Sequence, residues 1–162
     1  MDSTDQIFFC GDLNYRIDLP REEVEYTVCQ IRSLLESNLP EKVSEAQKLR
    51  ERLFMYDQLR ATIALERAFP GFAEGRITFA PTFKFDKGSE EYDTSHKQRI
   101  PAWTDRVLYK PGGTQVLEYD SVVAAQHSDH RPVFATFLVD RSGRVLSGTK
   151  RRKRSTTKLR NS

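Results

Sequence analysis

Phe9-Cys10-Gly11-Asp12-Leu13-Asn14-Tyr15-Arg16-Ile17 is the stretch from which the rest of the chain is best read. Ile7 to Cys10 is an apolar run that stops at Gly11, which predicts a short buried strand. Residues two apart on an extended chain point the same way, so Asp12 and Asn14 share a face. A carboxylate beside a carboxamide at a strand end can take a proton from water and hydrogen-bond a developing oxyanion. Gly, Asp and Asn also favour turns for local reasons, so a plain strand-to-turn transition accounts for the same letters. Only Met1–Gln6 precede the strand, and a buried strand needs a neighbour on each side. The expectation is a chain that begins in the middle of a fold.

Two further stretches carry a similar mixture. Ser128-Asp129-His130-Arg131-Pro132-Val133 runs into Val133–Val139, which reads as a strand. Asp129 offers an oxygen ligand to a hard cation such as Mg2+, and His130 can donate to a phosphoryl oxygen. A turn with a surface histidine is the bland alternative. Pro101-Ala102-Trp103-Thr104-Asp105-Arg106-Val107-Leu108 places the single Trp before an Asp-Arg pair at a strand start. An acid there can accept a histidine N–H and fix its tautomer. Pairing of Asp105 with Arg106 or Arg99 would use the same acid with no chemistry. Trp103 is expected in the core under either reading.

Between them, Ala80 to Pro101 is turn-rich and charged, and Lys84, Lys97 and Arg99 interleave with Phe83, Phe85 and Tyr92. Separated cations folding back on one point suit a substrate with several phosphates. A solvated loop is the alternative, and charge alone favours it. Long structureless segments in compact domains are usually functional.

The stretch after Ile17 is helical by pattern. Pro20 with Glu22 and Glu23 reads as a helix start, and Val24, Val28, Ile31 and Leu35 make one apolar face to about Ser37. Pro40 opens a second helix, with Val43, Ala46, Leu49, Leu53 and Tyr56 at spacings of three and four. A third is expected from Gln58 to Phe69, ending at Pro70-Gly71. The short connections imply hairpin packing. Ile77–Phe79, Val107–Tyr109, Gln115–Tyr119 and Val122–Ala125 read as further strands, with a hairpin turn at Pro111-Gly112-Gly113.

The chain has 162 residues, 38% hydrophobic and 30% charged, enough to bury one core and stay in water. No stretch approaches the roughly 20 apolar residues of a membrane span. The polar, acidic start is unlike a secretory or transit signal. Cys10 and Cys29 have no metal spacing and are expected reduced, on the apolar side, in a cytosolic protein. Nine Lys or Arg and no acid lie from Arg141 onward, so a formal net charge of +3 conceals −6 over residues 1–140. The expected division is a globular part, 1–140, and a basic, disordered tail, 141–162. Lys150 to Arg160 in that tail suits anionic lipid, a nuclear-import patch or plain solvation. Charge confined to a tail makes no nucleic-acid groove, and no nucleic-acid partner is expected.

Taken in order, Asp-x-Asn after a strand, Trp-x-Asp-Arg, and Ser-Asp-His-Arg-Pro before a strand resemble the endonuclease/exonuclease/phosphatase superfamily. The fuller strings Phe9–Ile17 and Pro101–Leu108 look like inositol polyphosphate 5-phosphatases, the synaptojanin-like and fungal branches above all. The resemblance covers residues 7–139 and is weakest from Cys29 to Arg52. It implies an α/β (α+β) fold, the C-terminal half of a DNase I-like four-layer β-sandwich flanked by helices. It implies Mg2+-dependent hydrolysis of the 5-phosphate of phosphoinositide lipids or soluble inositol phosphates, phosphatidylinositol 4,5-bisphosphate among them. Under it Asp12 orients or deprotonates the attacking water and Asn14 stabilises the transition state. Asp129 sits at the metal, and His130 binds the scissile phosphate and is held by Asp105. Lys84, Lys97 and Arg99 grip the neighbouring 4-phosphate. Phe83 stands where some relatives have a tyrosine, and His96 where a glutamate is frequent.

The family's N-terminal half, with its metal-binding glutamate, is not found in these residues. The expectation is therefore an uncovered apolar sheet face and a chain that is inactive or very weak alone. A non-catalytic phosphoinositide-binding or scaffold remnant is the rival from another class. A nuclease of the same superfamily is the third; the Lys84–Arg99 segment and Pro101–Leu108 speak against it. The expected location is cytoplasmic, with peripheral membrane contact through Lys150–Arg160.

Overall fold

The computed structural model describes residues 6–140. The basic tail, with its three readings, lies outside the described residues. The elements run β1 (Phe8–Asp12), α1 (Arg21–Glu36), α2 (Pro40–Phe54), α3 (Gln58–Ala64), β2 (Ala73–Glu74), β3 (Asp105–Tyr109), β4 (Thr114–Ser121) and β5 (Val133–Val139). No helix among these is long and apolar enough to cross a membrane.

Pro20 precedes α1 with its φ of −58° already set for a helix start, and Glu22 and Glu23 sit in the positive end of the dipole. Val24, Val28 and Ile31 form its buried stripe. Pro40 occupies the first turn of α2, where its missing N–H costs no bond, and Ala46 and Leu53 face inward. The two helices pack as a hairpin. α3 is capped by Asp57, whose carboxylate accepts the Arg60 N–H at 2.9 Å. It ends sooner than the expected Phe69. Glu66 turns left-handed at φ 54°, and the N–H groups of Glu66 and Arg67 close on the carbonyls of Ile63 and Thr62. That six-to-one closure terminates a helix whatever residues follow.

The strands form two sheets: β1-β3-β2, all antiparallel, and β4-β5, antiparallel with a bulge between Val116 and Glu118. Several expectations change here. β1 forms, but as an edge strand with Phe8 and Phe9 at 42% and 46% exposed, not buried; its outer edge has no neighbour among the described residues. What stands uncovered is thus a sheet edge, with Phe8 and Phe9 on opposite sides of it, rather than the expected apolar face. Ile77 and Phe79 are buried in the core yet make no strand, because no ladder partner lies beside them among the described residues. Val122–Ala125 is a turn closed by the Ala125 N–H on the Val122 carbonyl, with Val122 and Val123 exposed. Pro111–Gly113 is a turn, but it joins strands of different sheets rather than a hairpin. Both cysteines are free, but exposed rather than on the apolar side.

The core gathers Ile17, α1 and α2 side chains, Ile77, Phe79, Trp103 and Tyr119. Trp103 is fully buried; its indole donates to the Phe79 carbonyl at 3.2 Å and meets Phe54 edge-on at 5.8 Å. Successive residues of a strand point to opposite faces. β3 thus sends Arg106 into the core and Asp105 outward, which separates the two members of the Asp-Arg pair. Arg106 donates to both oxygens of Glu74 at 2.7 Å and to Asp57 at 2.9 Å.

Candidate active site

The register of β1 and β3 sets Asp12 directly opposite Asp105. Directly opposed residues of an antiparallel pair share a face, so two carboxylates far apart in sequence meet at one end of the sheet. Like charges there need donors, and both have them. Beyond β1 the chain is tied back by the Leu13 N–H on the Thr104 carbonyl at 2.8 Å. Asn14 then turns left-handed, φ 60°, a conformation Asn tolerates better than most residues. Its N–H donates to Asp12 Oδ1 at 2.9 Å.

Asp105 Oδ2 accepts three donors. The His130 ring nitrogen Nδ1 lies 2.8 Å away, the Thr104 hydroxyl 3.0 Å and the Thr82 hydroxyl 3.3 Å. Both threonines are buried. With Nδ1 engaged, Nε2 is the nitrogen left for a ligand. The alternative pairing of Asp105 with Arg106 or Arg99 is not formed. His130 is held from two more directions: its N–H donates to Ser128 Oγ at 3.1 Å, and its ring lies 4.5 Å from that of Phe83. Arg131 is buried beneath this turn, 3.9 Å over the Phe85 ring, and bonds the carbonyls of Ser128 and Ser89. Asp129, half-buried, receives among the described residues only the Ser128 hydroxyl at 3.4 Å on its carboxylate. Its carbonyl accepts the Phe85 N–H.

The three expected clamp cations stand differently. Lys97 and Arg99 are exposed. Lys84 is pinned at 3.1 Å to Asp93, which is fully buried. Asp93 is the hub of this loop and was missed by sequence reasoning. It also accepts the N–H groups of Ser95 at 3.2 Å and Arg99 at 2.9 Å. Burial alone would favour its protonated form, but the hydrogen bonds from Ser95, Arg99 and Lys84 prevail and hold it well below the usual carboxylate range. The only advance signal was an Asp among turn formers. Thr82, Thr104 and Arg16 were also missed, although Arg16 and Thr104 lie inside the quoted strings and Thr82 inside the Ala80–Pro101 segment.

The site is an open surface. Two grooves, of about 550 and 530 Å3, open beside α1 and α2, the second bordered also by Thr82, Phe85 and Arg131, and neither is lined by Asp12, Asn14, Asp105 or His130. Among the described residues no three His, Cys, Asp or Glu gather as a metal cluster. A Mg2+ ion needs less, since it binds through one or two carboxylates and fills its shell with water and substrate phosphate. The lightly engaged Asp129 suits that role.

The chain matches Endonuclease/Exonuclease/phosphatase family 2 over residues 1–136. It belongs to that family. Among family relatives, synaptojanin of Caenorhabditis elegans is 45% identical over 144 residues, 86% of this chain and 11% of the relative. A solved inositol polyphosphate 5-phosphatase domain of spSynaptojanin, in complex with inositol (1,4)-bisphosphate and calcium ion, has a TM-score of 0.69. It is 42% identical and covers 82% of this chain and 34% of that one. Cimex nitrophorin, solved as a ferrous NO complex, also superposes, with a TM-score of 0.66 and 32% identity over 82% of this chain and 41% of that one. The chain thus spans about a tenth of the curated relative and about a third of the solved phosphatase domain. Different ligands on one scaffold mean that the side chains at the site, not the fold, must carry a functional reading.

Proposed function

We propose that this chain carries one side of the active site of a divalent-metal-dependent phosphatase. Its reaction removes the 5-phosphate of inositol polyphosphates or phosphoinositides, with phosphatidylinositol 4,5-bisphosphate as the reference substrate. The carrying observation is the convergence of Asp12 with the Asp105–His130 pair on one face. Asp12 takes the proton of a water whose oxygen attacks phosphorus as the bond to the inositol oxygen breaks. Asn14 donates its amine to a nonbridging oxygen as charge gathers there. His130 presents Nε2 to the same phosphoryl group, oriented by Asp105. Lys97 and Arg99 hold the neighbouring phosphate, and Lys84 serves mainly to shape their loop through Asp93. Asp129 would hold the metal, Mg2+ in our reading, which neutralises phosphoryl charge when bound.

Binding without hydrolysis is the second reading. It is favoured by the open site, where Asp12 and Asn14 stand exposed. We place the protein in the cytoplasm, touching membranes through Lys150–Arg160.

The test is phosphate release from phosphatidylinositol 4,5-bisphosphate vesicles and from soluble inositol phosphates in Mg2+, with Asp12→Ala as control. Calorimetric titration of inositol (1,4)-bisphosphate runs beside it. The expected result is binding with release far below that of a full-length relative, any residue of it abolished by Asp12→Ala. Release at a full-length rate would refute the expected weakness of the chain alone. Neither release nor binding would refute the substrate class.

A further inference from the structure

Arg16 lies inside the first signature yet has no part in the chemistry above. Its Nε donates to the Asn14 carbonyl at 3.2 Å, and a terminal guanidinium nitrogen donates to Asn14 Oδ1. Arginine has donors only. The Asn14 carboxamide must therefore turn its oxygen to Arg16, which directs its amine the other way. The Asn14 N–H is already committed to Asp12, so among the described residues the donor group left without a partner is its side-chain amine. The Arg16 guanidinium also lies 4.6 Å from the centre of the Phe83 ring, and Phe83 is the ring against His130. One side chain thus touches Asn14 after β1 directly and reaches His130 before β5 through the Phe83 ring. Its own backbone is anchored through Gln58, whose Oε1 accepts the Arg16 N–H at 3.0 Å.

The position is costly. Among the described residues Arg16 forms no salt bridge. Burial, and then repulsion from Arg99, push its guanidinium below its ordinary pKa against the attraction of Asp12. A cation kept under that strain beside polar neighbours points to a role other than stability.

We propose that Arg16 is a positioning residue: it selects the carboxamide orientation that presents the Asn14 amine to a phosphoryl oxygen, and it keeps Phe83 against His130. The use of that amine rests on the function proposed above; the orientation itself does not. Lysine cannot replace it, because one compact ammonium cannot bond both oxygens of Asn14 and stack on Phe83 together.

The test is NMR on the ligand-free chain, so it stands whether or not the chain hydrolyses anything. The Asn14 side-chain amine is identified by its loss in Asn14→Asp, and the Trp103 indole signal reports an intact fold. In Arg16→Met the Asn14 amine signal should shift to the position of freely exposed carboxamides, and the Phe83–His130 ring contact should weaken at least threefold. Arg16→Lys should shift the Asn14 signal equally while keeping part of the ring contact. Should Arg16→Met lose the Trp103 signal, Arg16→Lys decides alone. An unmoved Asn14 amine in a variant with Trp103 in place overturns the proposal.

Discussion

Replacing Arg106 by methionine should unfold this chain more readily than any surface change. The side chain is almost wholly buried and makes four bonds: two to Glu74 at 2.7 Å, one to Asp57 at 2.9 Å and one to the Trp103 carbonyl at 3.1 Å. Burial works against its charge, but the hydrogen bonds and charges of Glu74 and Asp57 outweigh it and raise its pKa. Methionine fills most of the volume and leaves two carboxylates without their cation. Breaking one partner of a buried pair costs about 3–5 kcal/mol. Total stabilities are only roughly 5–15 kcal/mol. With a urea slope of about 2 kcal/mol per M, the midpoint should fall by about 2 M. Arg106→Lys keeps the charge but loses the two-pronged contact, so about 1.5–3 kcal/mol is expected. Trp103, the single tryptophan and next but two in sequence, reports both transitions by fluorescence in urea. A midpoint for Arg106→Met within about 0.3 M of wild type would refute the reasoning, since the change expected from the urea slope is several times larger. The double variant Arg106→Met with Glu74→Leu should recover part of the loss, because it removes one stranded charge.

Three other outcomes are expected. Charging the open edge with Phe8→Glu and Phe9→Lys should reduce self-association in light scattering after size exclusion, because both rings stand exposed on an edge strand; unchanged association would mean the edge is not adhesive. Asp93 is held below its ordinary pKa when folded. Its stabilisation is therefore full above the unfolded value near about 3.9 and is lost as pH falls through the folded value. Melting curves from neutral to acid pH should show Asp93→Asn less stable at pH 7 and flatter toward acid, and parallel curves would contradict this. Gly75→Ala should lower the melting temperature at a cost of about 1–3 kcal/mol from overpacking. The new Cβ would sit 2.9 Å from the Tyr119 ring, which is buried and fixed by its hydroxyl on Glu74. A melting temperature equal to wild type would show that the ring can yield.

Much of the local structure was legible in the letters. Pro20 and Pro40 mark helix starts, and the threes and fours of Val24–Ile31 and Ala46–Leu53 mark buried faces, because helical spacing follows from backbone geometry alone. Val133–Val139 is read correctly end to end, and Trp103 is in the core as expected. The order of three short motifs was enough to point to the family. The failures share one cause. Ile77–Phe79 and Val122–Ala125 have strand composition, but a strand exists only where a second chain segment supplies its hydrogen bonds; among the described residues Ile77–Phe79 has no ladder partner, and pairing beyond β4 stops at the Val122 N–H on the Pro132 carbonyl, where the chain turns. Ionic partners behave likewise. Asp105 pairs with His130, 25 residues away, and Arg106 with Asp57, 49 residues away. The adjacent Asp and Arg never meet, because consecutive strand residues face opposite sides. The candidate residues were nameable from sequence. That Asp12 stands opposite Asp105, that Asp93 ties up Lys84 and that Arg16 reaches from Asn14 to Phe83 follow from strand register and loop closure. Those depend on contacts between distant segments, which no local pattern encodes.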